Sequence, residues 1–217
     1  MIKKLYTLFK LGRKLAKSDA LNIFTKFHNP PIGIKILFYL LSFSFSKKNN
    51  SFVSETEGER LSSSLQSMGT TFIKLGQFLA TRPDIIGDKL SRQLESLQDR
   101  LPPFELSRAK EIIRKDLGED NFNLIINFSE PVAAASIAQV HKAQINDNGT
   151  IKDVAIKILR PNIKKIFNEE IDALMLFAFL TESIVKKTKR LKLVEVVYLL
   201  KEITNLEMDL RFEAAAA

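Results

Sequence analysis

Two hydrophobic periods follow one another along this chain, and their order limits the fold more than any other feature. Apolar residues first recur at alternating spacings of four and three, which predicts a helix; they are Leu61, Leu65, Met68, Phe72, Leu75 and Leu79. A shorter stripe comprises Leu90, Leu94, Leu97 and Leu101, and a third helix is predicted over residues 107–117. Residues 137–145 and 154–159 then have the character of strands on either side of a turn. Helices set apart from an antiparallel hairpin predict an α+β fold.

Charge is distributed unevenly along the sequence. The 217 residues include 33 Lys+Arg and 25 Asp+Glu, a formal net charge of +8, and residues 1–48 contain a single acid, Asp19. Such an excess suits an anionic partner: a phosphate-rich ligand, a nucleic acid or an anionic membrane surface. The sequence has no Cys and two His, which excludes disulfides and thiolate sites and argues against a zinc or iron site.

The first 17 residues combine a basic helical side with an apolar one, which comprises Ile2, Leu5, Tyr6, Phe9 and Ala16. This pattern is typical of a helix on an anionic membrane surface, and equally of a helix packed on the protein with its lysines in solvent. A second apolar stretch, residues 31–45, contains a lysine and is shorter than the ~20 residues that span a bilayer. We therefore predict a membrane-surface helical region over residues 1–50.

The strand over residues 154–159 carries the first pair that suggests a chemistry. Successive side chains on a strand alternate faces, so Ala155 and Lys157 share one face. A small residue beside a lysine offers a flat surface for a base and a positive charge for its phosphates, as on the lysine strand of protein kinases. An exposed lysine on any edge strand would show the same pattern.

The last predicted helix, residues 193–213, carries acids close to an apolar stripe, which comprises Val196, Leu199, Leu200, Ile203, Leu206 and Leu210. Glu207 falls inside this stripe. A carboxylate buried there would need a partner, because an unpaired buried charge is very costly. Glu213 lies at the flank of the stripe and Asp209 lies further round, so both also fit solvated positions.

Two further segments suit a ligand. Lys74 and Gln77 point away from the stripe of their helix, which alone indicates surface residues. Residues 131–136 have the sequence P-V-A-A-A-S and precede the strands, where a protein kinase has its glycine-rich phosphate loop. Alanine leaves little bulk beside a ligand but lacks the freedom of glycine at positive φ. By itself this segment would also fit a tight packing contact.

Taken together, these segments indicate a protein family far more specifically than any one of them does alone. Four motifs occur in order: K-L-G-Q at 74–77, P-V-A-A-A-S-I-A-Q-V-H at 131–141, V-A-I-K at 154–157 and E-M-D-L-R-F-E at 207–213. This set closely resembles the UbiB family, atypical kinase-like proteins associated with ubiquinone biosynthesis, over about residues 61–217. The resemblance implies a helical extension over residues 51–127 and an incomplete protein-kinase-like N-lobe over residues 128–217.

The resemblance also implies roles for the nucleotide-binding residues. Lys157 matches the strand lysine that pairs with phosphates, and Glu213 matches the helix acid that pairs with this lysine. Small residues would border the nucleotide; they are Ala133, Ala134, Ala135, Ser136 and Ala155.

In the same family the K-x-G-Q helix folds over the active site. Lys74 and Gln77 would therefore enter the pocket where a protein substrate otherwise binds. Glu207 and Asp209 match the acids that hold this extension in place. The specific prediction is an ion pair between Lys74 and Glu207.

The function that the resemblance implies is binding of ATP or ADP with Mg²⁺ and hydrolysis of ATP, in support of polyprenyl-quinone synthesis. Expected partners are an adenine nucleotide, an anionic membrane surface and quinone-biosynthesis proteins, with the protein peripheral at the cytoplasmic face of a membrane. The sequence contains no kinase catalytic loop and no Asp-Phe-Gly to hold Mg²⁺. We therefore predict no catalytic or metal-binding residue within it, about half of the family's length, little ATPase activity and weak nucleotide binding.

Two other functions stay open at the level of sequence. Because the catalytic loop is missing, a non-catalytic interaction protein of the membrane surface could retain the kinase-like segment as a relic. A nucleic-acid binder would account for the charge, but no DNA- or RNA-binding motif accompanies the basic residues. The sequence alone leaves open whether the chain is an enzyme.

Overall fold

A computed structural model of the chain describes residues 6–7, 9–10, 57–95, 97, 101–147, 149–184 and 186–216. Contacts divide the chain into two compact units. The first takes its described residues from Met1–Gln98 and Lys165–Leu206, and the second from Asp99–Lys164 and Glu207–Ala217. The domain boundaries given above rest on motifs and stay a prediction.

Helices and one antiparallel sheet make up the described residues, which confirms the α+β class. The helices are α1 (Glu57–Met68), α2 (Thr70–Ala80), α3 (Pro83–Ile86), α4 (Asp88–Leu94), α5 (Leu106–Leu117), α6 (Glu119–Asn123), α7 (Ile163–Ile184), α8 (Leu193–Glu207) and α9 (Leu210–Ala216). A 3₁₀ helix covers Lys186–Leu191. The strands, between α6 and α7, are β1 (Ile125–Ile126), β2 (Pro131–Ala134), β3 (Ala138–Asp147) and β4 (Thr150–Leu159).

Little of the predicted N-terminal region falls within the described residues. Tyr6, Thr7, Phe9 and Lys10 are helical, and Tyr6 is 69% exposed. The rest of that helix and the apolar stretch at residues 31–45 lie outside the described ranges. Within these ranges, no helix combines the length and the apolar character needed to cross a membrane.

The first leucine stripe forms the core of the first unit, but on two helices instead of one. Leu61, Leu65, Met68 and Phe72 are all at most 2% exposed. Gly69 separates α1 from α2 with a φ of 103°, in the region that favours glycine. The predicted single helix is therefore wrong, whereas its stripe is buried except at Leu75, which is partly buried. The same cluster includes Leu79, Ile85, Leu90, Leu94, Leu97, Ala173 and Val196.

The next two predicted helices are both present, but only one of them has the predicted bounds. α4 ends at Leu94, so the helix of the second stripe is shorter than predicted; Leu97 lies beyond it and is still buried. α5 agrees with the prediction to within one residue and stops at Gly118, where φ is 82°.

The sheet is built around β3. β4 pairs with it along the whole length, from Ala138↔Leu159 to Asp147↔Thr150, and β1 and β2 pair with β3 as well. This confirms the predicted hairpin. One face packs on α5 through a cluster that contains Ala109, Ile113 and Ile158.

The C-terminal helix differs from the prediction. α8 ends at Glu207, a break follows, and α9 carries Glu213. Burial falls on a neighbouring side of α8, which comprises Val196, Val197, Leu200 and Thr204, while Ile203 and Leu206 are exposed. The predicted stripe is therefore wrong at Leu199, Ile203 and Leu206, and the predicted continuous helix is broken after Glu207. Glu207 is exposed, so the argument from a buried carboxylate fails.

Candidate functional site

One face of the β3–β4 hairpin carries Ala155 and Lys157, the two residues that the strand pattern placed on a common face. Lys157 lies opposite Val140 in the register, and β2 adds Ala133, which pairs with the same valine. Residues opposite each other share a face of the sheet, and Ala155, two positions before Lys157, shares it too. Ala155 is exposed, whereas Ile158 on the other face is buried. The same face also carries Lys142, directly opposite Ala155, so small and apolar residues lie there beside two lysines.

Lys157 forms an ion pair with Glu213. Its Nζ donates hydrogen bonds to Oε1 at 2.7 Å and to Oε2 at 2.6 Å. The side chains are 33% and 58% exposed, and ion pairs exposed to water contribute only about 0–1 kcal/mol to stability. The contact therefore contributes little to the stability of the fold. The pairing implied by the resemblance is present; its role towards a nucleotide stays a prediction.

Asp209 caps the short helix that carries Glu213. Its Oδ1 accepts a hydrogen bond from the backbone N–H of Arg211 at 3.2 Å, as an N-cap residue does. The Arg211 guanidinium donates to both carboxylate oxygens, at 2.8 and 2.5 Å. This guanidinium lowers the pKa of the Asp209 carboxyl to about 2. The cap is therefore ionised at neutral pH.

The alanine-rich segment is a strand followed by a turn, whereas the sequence predicted a loop. Ala133 and Ala134 belong to β2 and pair with β3, because their backbone groups find partners there. The turn follows, and the N–H of Ala135 donates to the carbonyl of Ala138 at 2.8 Å. Ser136 is fully buried. The turn joins two strands just before the lysine strand, the place of the glycine-rich loop in a kinase N-lobe.

A polar network lies on the covered face of the sheet. Gln139 and His141 are fully buried. His141 Nδ1 donates to the carbonyl of Ser129 at 2.8 Å, because a carbonyl can only accept, and its Nε2 accepts from Gln139 Nε2 at 2.9 Å. Gln139 also binds the backbone of Phe104, accepting from its N–H at 2.9 Å and donating to its carbonyl at 3.2 Å. His141 stacks on Phe128, with ring centroids 4.5 Å apart.

Gly76, inside the K-L-G-Q motif, has a packing role. A Cβ at this position would lie 2.7 Å from Leu65 Cδ1 and closer still to a methyl group of Leu97. Both leucines belong to the core of the first unit. A side chain at residue 76 would therefore have to displace these two leucine methyl groups.

The predicted pocket-occluding residues fall in both units. Lys74 and Gln77 are partly buried residues of α2 in the first unit, while Glu207 and Asp209 belong to the second. The Lys74–Glu207 ion pair and the occlusion of the pocket stay predictions.

Comparison with known families decides the relationship of this chain. Residues 96–217, more than half of the sequence, match the ABC1 atypical kinase-like domain. The chain belongs to the ABC1 atypical kinase-like family. The UbiB assignment made from the four motifs is thereby confirmed.

Curated relatives of this ABC1 protein carry the description "Probable protein kinase UbiB". The protein from Marinobacter nauticus is 41% identical over 163 residues, which are 75% of this chain and 29% of the relative. The one from Azotobacter vinelandii is 37% identical over 188 residues, 86% of this chain and 34% of the relative. The one from Vibrio cholerae is 32% identical over 222 residues, all of this chain and 38% of the relative. The chain thus spans about a third of the length of these relatives, so the predicted share of about half is wrong. No solved structure gives a significant match.

Three residues whose hydrogen bonds connect separate segments of this chain were not predicted from the sequence: Gln139, His141 and Arg160. Gln139 and His141 gave a signal that could have been used, since two polar residues alternate on a strand whose neighbours are apolar. Arg160 gave no such signal, because it follows the end of β4 and its partners are distant in the sequence.

Proposed function

We propose that this chain forms part of an adenine-nucleotide site in an atypical kinase that supports ubiquinone biosynthesis. The observation that carries the proposal is the Lys157–Glu213 ion pair on a strand face that also carries small and apolar residues and a second lysine, Lys142. In protein kinases the strand lysine works together with a helix glutamate, and the pair must be in place for phosphoryl transfer. The description of the relatives as probable protein kinases fits this class.

Each part of the face has a task in this proposal. The Lys157 ammonium group binds nucleotide phosphates, since it carries a full positive charge and Glu213 fixes its position. Ala155 and Val140 provide a flat surface for the adenine ring. The end of β2 and the turn after it, from Ala133 to Ser136, border the phosphates. In protein kinases Mg²⁺ bridges the phosphates of the nucleotide, so we expect it to reach the site together with the nucleotide.

Titration of the purified chain with Mg-ADP tests the site. We expect saturable binding that Lys157→Met weakens at least tenfold. Lys152→Met is the matched control, because Lys152 lies on the same strand and pairs with Asp147 at its exposed end. Binding by the Lys157 variant that equals binding by the control would show that the proposed site is wrong.

A second function, peripheral binding to an anionic membrane surface, is favoured by the exposed ring of Tyr6 on helical residues of the basic segment. Apolar residues would enter the headgroup region while the lysines contact the anionic lipids. Co-sedimentation with phosphatidylglycerol vesicles, and none with phosphatidylcholine vesicles, is expected, and Lys10→Glu with Lys14→Glu should abolish it. Vesicle binding by a chain that Mg-ADP neither binds nor stabilises would instead favour a non-catalytic membrane-surface protein.

A further inference from the structure

Arg160 follows β4 directly, and its side chain reaches three backbone carbonyls. Nε donates to Ala135 at 2.9 Å, Nη1 to Pro102 at 3.0 Å and Nη2 to Leu101 at 3.2 Å. Its backbone N–H donates to the carbonyl of Ile137 at 2.9 Å. One residue therefore connects the alanine-rich turn, the end of the lysine strand and the segment that precedes α5.

A second side chain holds that segment at its other end. The Gln139 amide both donates to and accepts from the backbone of Phe104. Arg160 binds residues 101 and 102 of the same segment. Arg160 thus ties this segment to the turn, and Gln139, from the strand that follows the turn, binds the other end of the segment.

We propose that Arg160 is a positioning residue, which holds the alanine-rich turn in the conformation that receives the phosphates of a nucleotide. The inference rests on the proposed nucleotide function. A guanidinium group has five N–H donors in a rigid planar fork, so it can hold several carbonyls at once. A turn built from alanine lacks the freedom of glycine at positive φ, and its working conformation must be maintained by contacts.

The direction of one peptide group shows what the contact achieves. No cis peptide bond occurs among the described residues, so the carbonyl of Ala135 and the N–H of Ser136 point in opposite directions. Because the carbonyl is bound to Arg160, the N–H of Ser136 points away from the guanidinium. The contact with Arg160 therefore fixes the orientation of this peptide group in the turn.

Amide hydrogen exchange of the full chain without nucleotide tests the positioning directly. We expect Arg160→Gln to raise the exchange rates of the Ala135–Ala138 amides at least tenfold, while amides of α1 and α2 keep theirs. Arg160→Lys should not rescue the turn, because one ammonium group cannot reproduce the fork. Arg108→Gln is the control, since Arg108 is an exposed arginine of the same unit that pairs with Glu111. Unchanged exchange in the turn of both Arg160 variants would overturn the proposal.

Mg-ADP titration supplies a second measurement. Both Arg160 variants should bind Mg-ADP at least fivefold more weakly than the Arg108 variant at an unchanged melting temperature. A wild-type chain that binds no nucleotide would refute the proposed function, yet the exchange experiment would still decide whether Arg160 holds the turn. If neither Arg160 variant folds, or if exchange rises equally in all helices, Arg160 is a general structural residue and the proposal is wrong.

Discussion

Asp209 accepts a hydrogen bond from the backbone N–H of Arg211, at the start of the helix that brings Glu213 to Lys157. The family resemblance gives Asp209 the task of holding the helical extension, and that task stays a prediction. The contact within the second unit gives it another task. By capping α9, Asp209 sets where the helix begins and therefore where Glu213 lies.

Replacing the cap should loosen α9. We expect Asp209→Ala to raise the exchange rates of the α9 amides several-fold, because alanine offers no acceptor for the first N–H groups of the helix. Asparagine and serine are good N-cap residues, so Asp209→Asn and Asp209→Ser should restore most of the protection. Exchange is measured by NMR on the full chain. If asparagine and alanine give equal rates, the carboxylate charge matters and the cap does not.

Acid should weaken the same helix end. The pKa of Asp209 is about 2 in the folded chain, below its ordinary value of 3.8, because Arg211 donates to the ionised form. The stabilisation is therefore complete above about pH 4 and is lost as pH falls towards 2. Exchange in α9, corrected for intrinsic rates, should rise over this range in the wild type and much less in Asp209→Asn. An equal rise in both proteins would contradict the assignment.

Glu213→Gln should separate binding from stability. The pair with Lys157 is partly exposed, so its loss should change the free energy of unfolding by about 1 kcal/mol or less. Mg-ADP affinity should nevertheless fall several-fold, because the ammonium group is no longer fixed. Urea denaturation and nucleotide titration measure the two effects. Glu119→Gln, which removes an exposed partner of Arg114, is the control; a large loss of stability with unchanged affinity would refute this account.

Gly76→Val should destabilise the first unit. The added side chain would overlap Leu65 and Leu97, and overpacking of a core typically costs about 1–3 kcal/mol. Ser63→Val is the control, since it places the same β-branched residue on an exposed position of α1. Urea denaturation should show a clear difference between the two variants. Equal midpoints would mean that the core tolerates a side chain at residue 76.

The sequence correctly predicted those elements in which buried residues recur at a regular helical or strand spacing. α5, the β3–β4 hairpin and the common face of Ala155 and Lys157 belong to this group, because alternation and capping are local properties. The breaks at Gly69 and after Glu207 were not predicted. Each interrupts a pattern that continues in register across it, so periodicity alone cannot locate it.

The candidate site likewise contains residues that the sequence predicted and residues that it did not. Lys157 and Glu213 came from motifs, and the structure brings them together. Arg160 could not be found, since its partners are backbone carbonyls 25 to 59 residues away, and a carbonyl has no sequence signature. The Asp209 cap was missed because the sequence showed one continuous helix where the structure has two.

An ATP analogue with a reactive acyl phosphate tests the central claim, that Lys157 contacts nucleotide phosphates. Such a reagent transfers its acyl group to an amine beside the bound phosphates, and peptide mass spectrometry identifies the lysine. We predict that Lys157 is acylated well ahead of Lys142 and Lys152, and that excess Mg-ADP protects it. Labelling of Lys157 no greater than that of Lys152, or labelling that Mg-ADP leaves unchanged, would contradict the account.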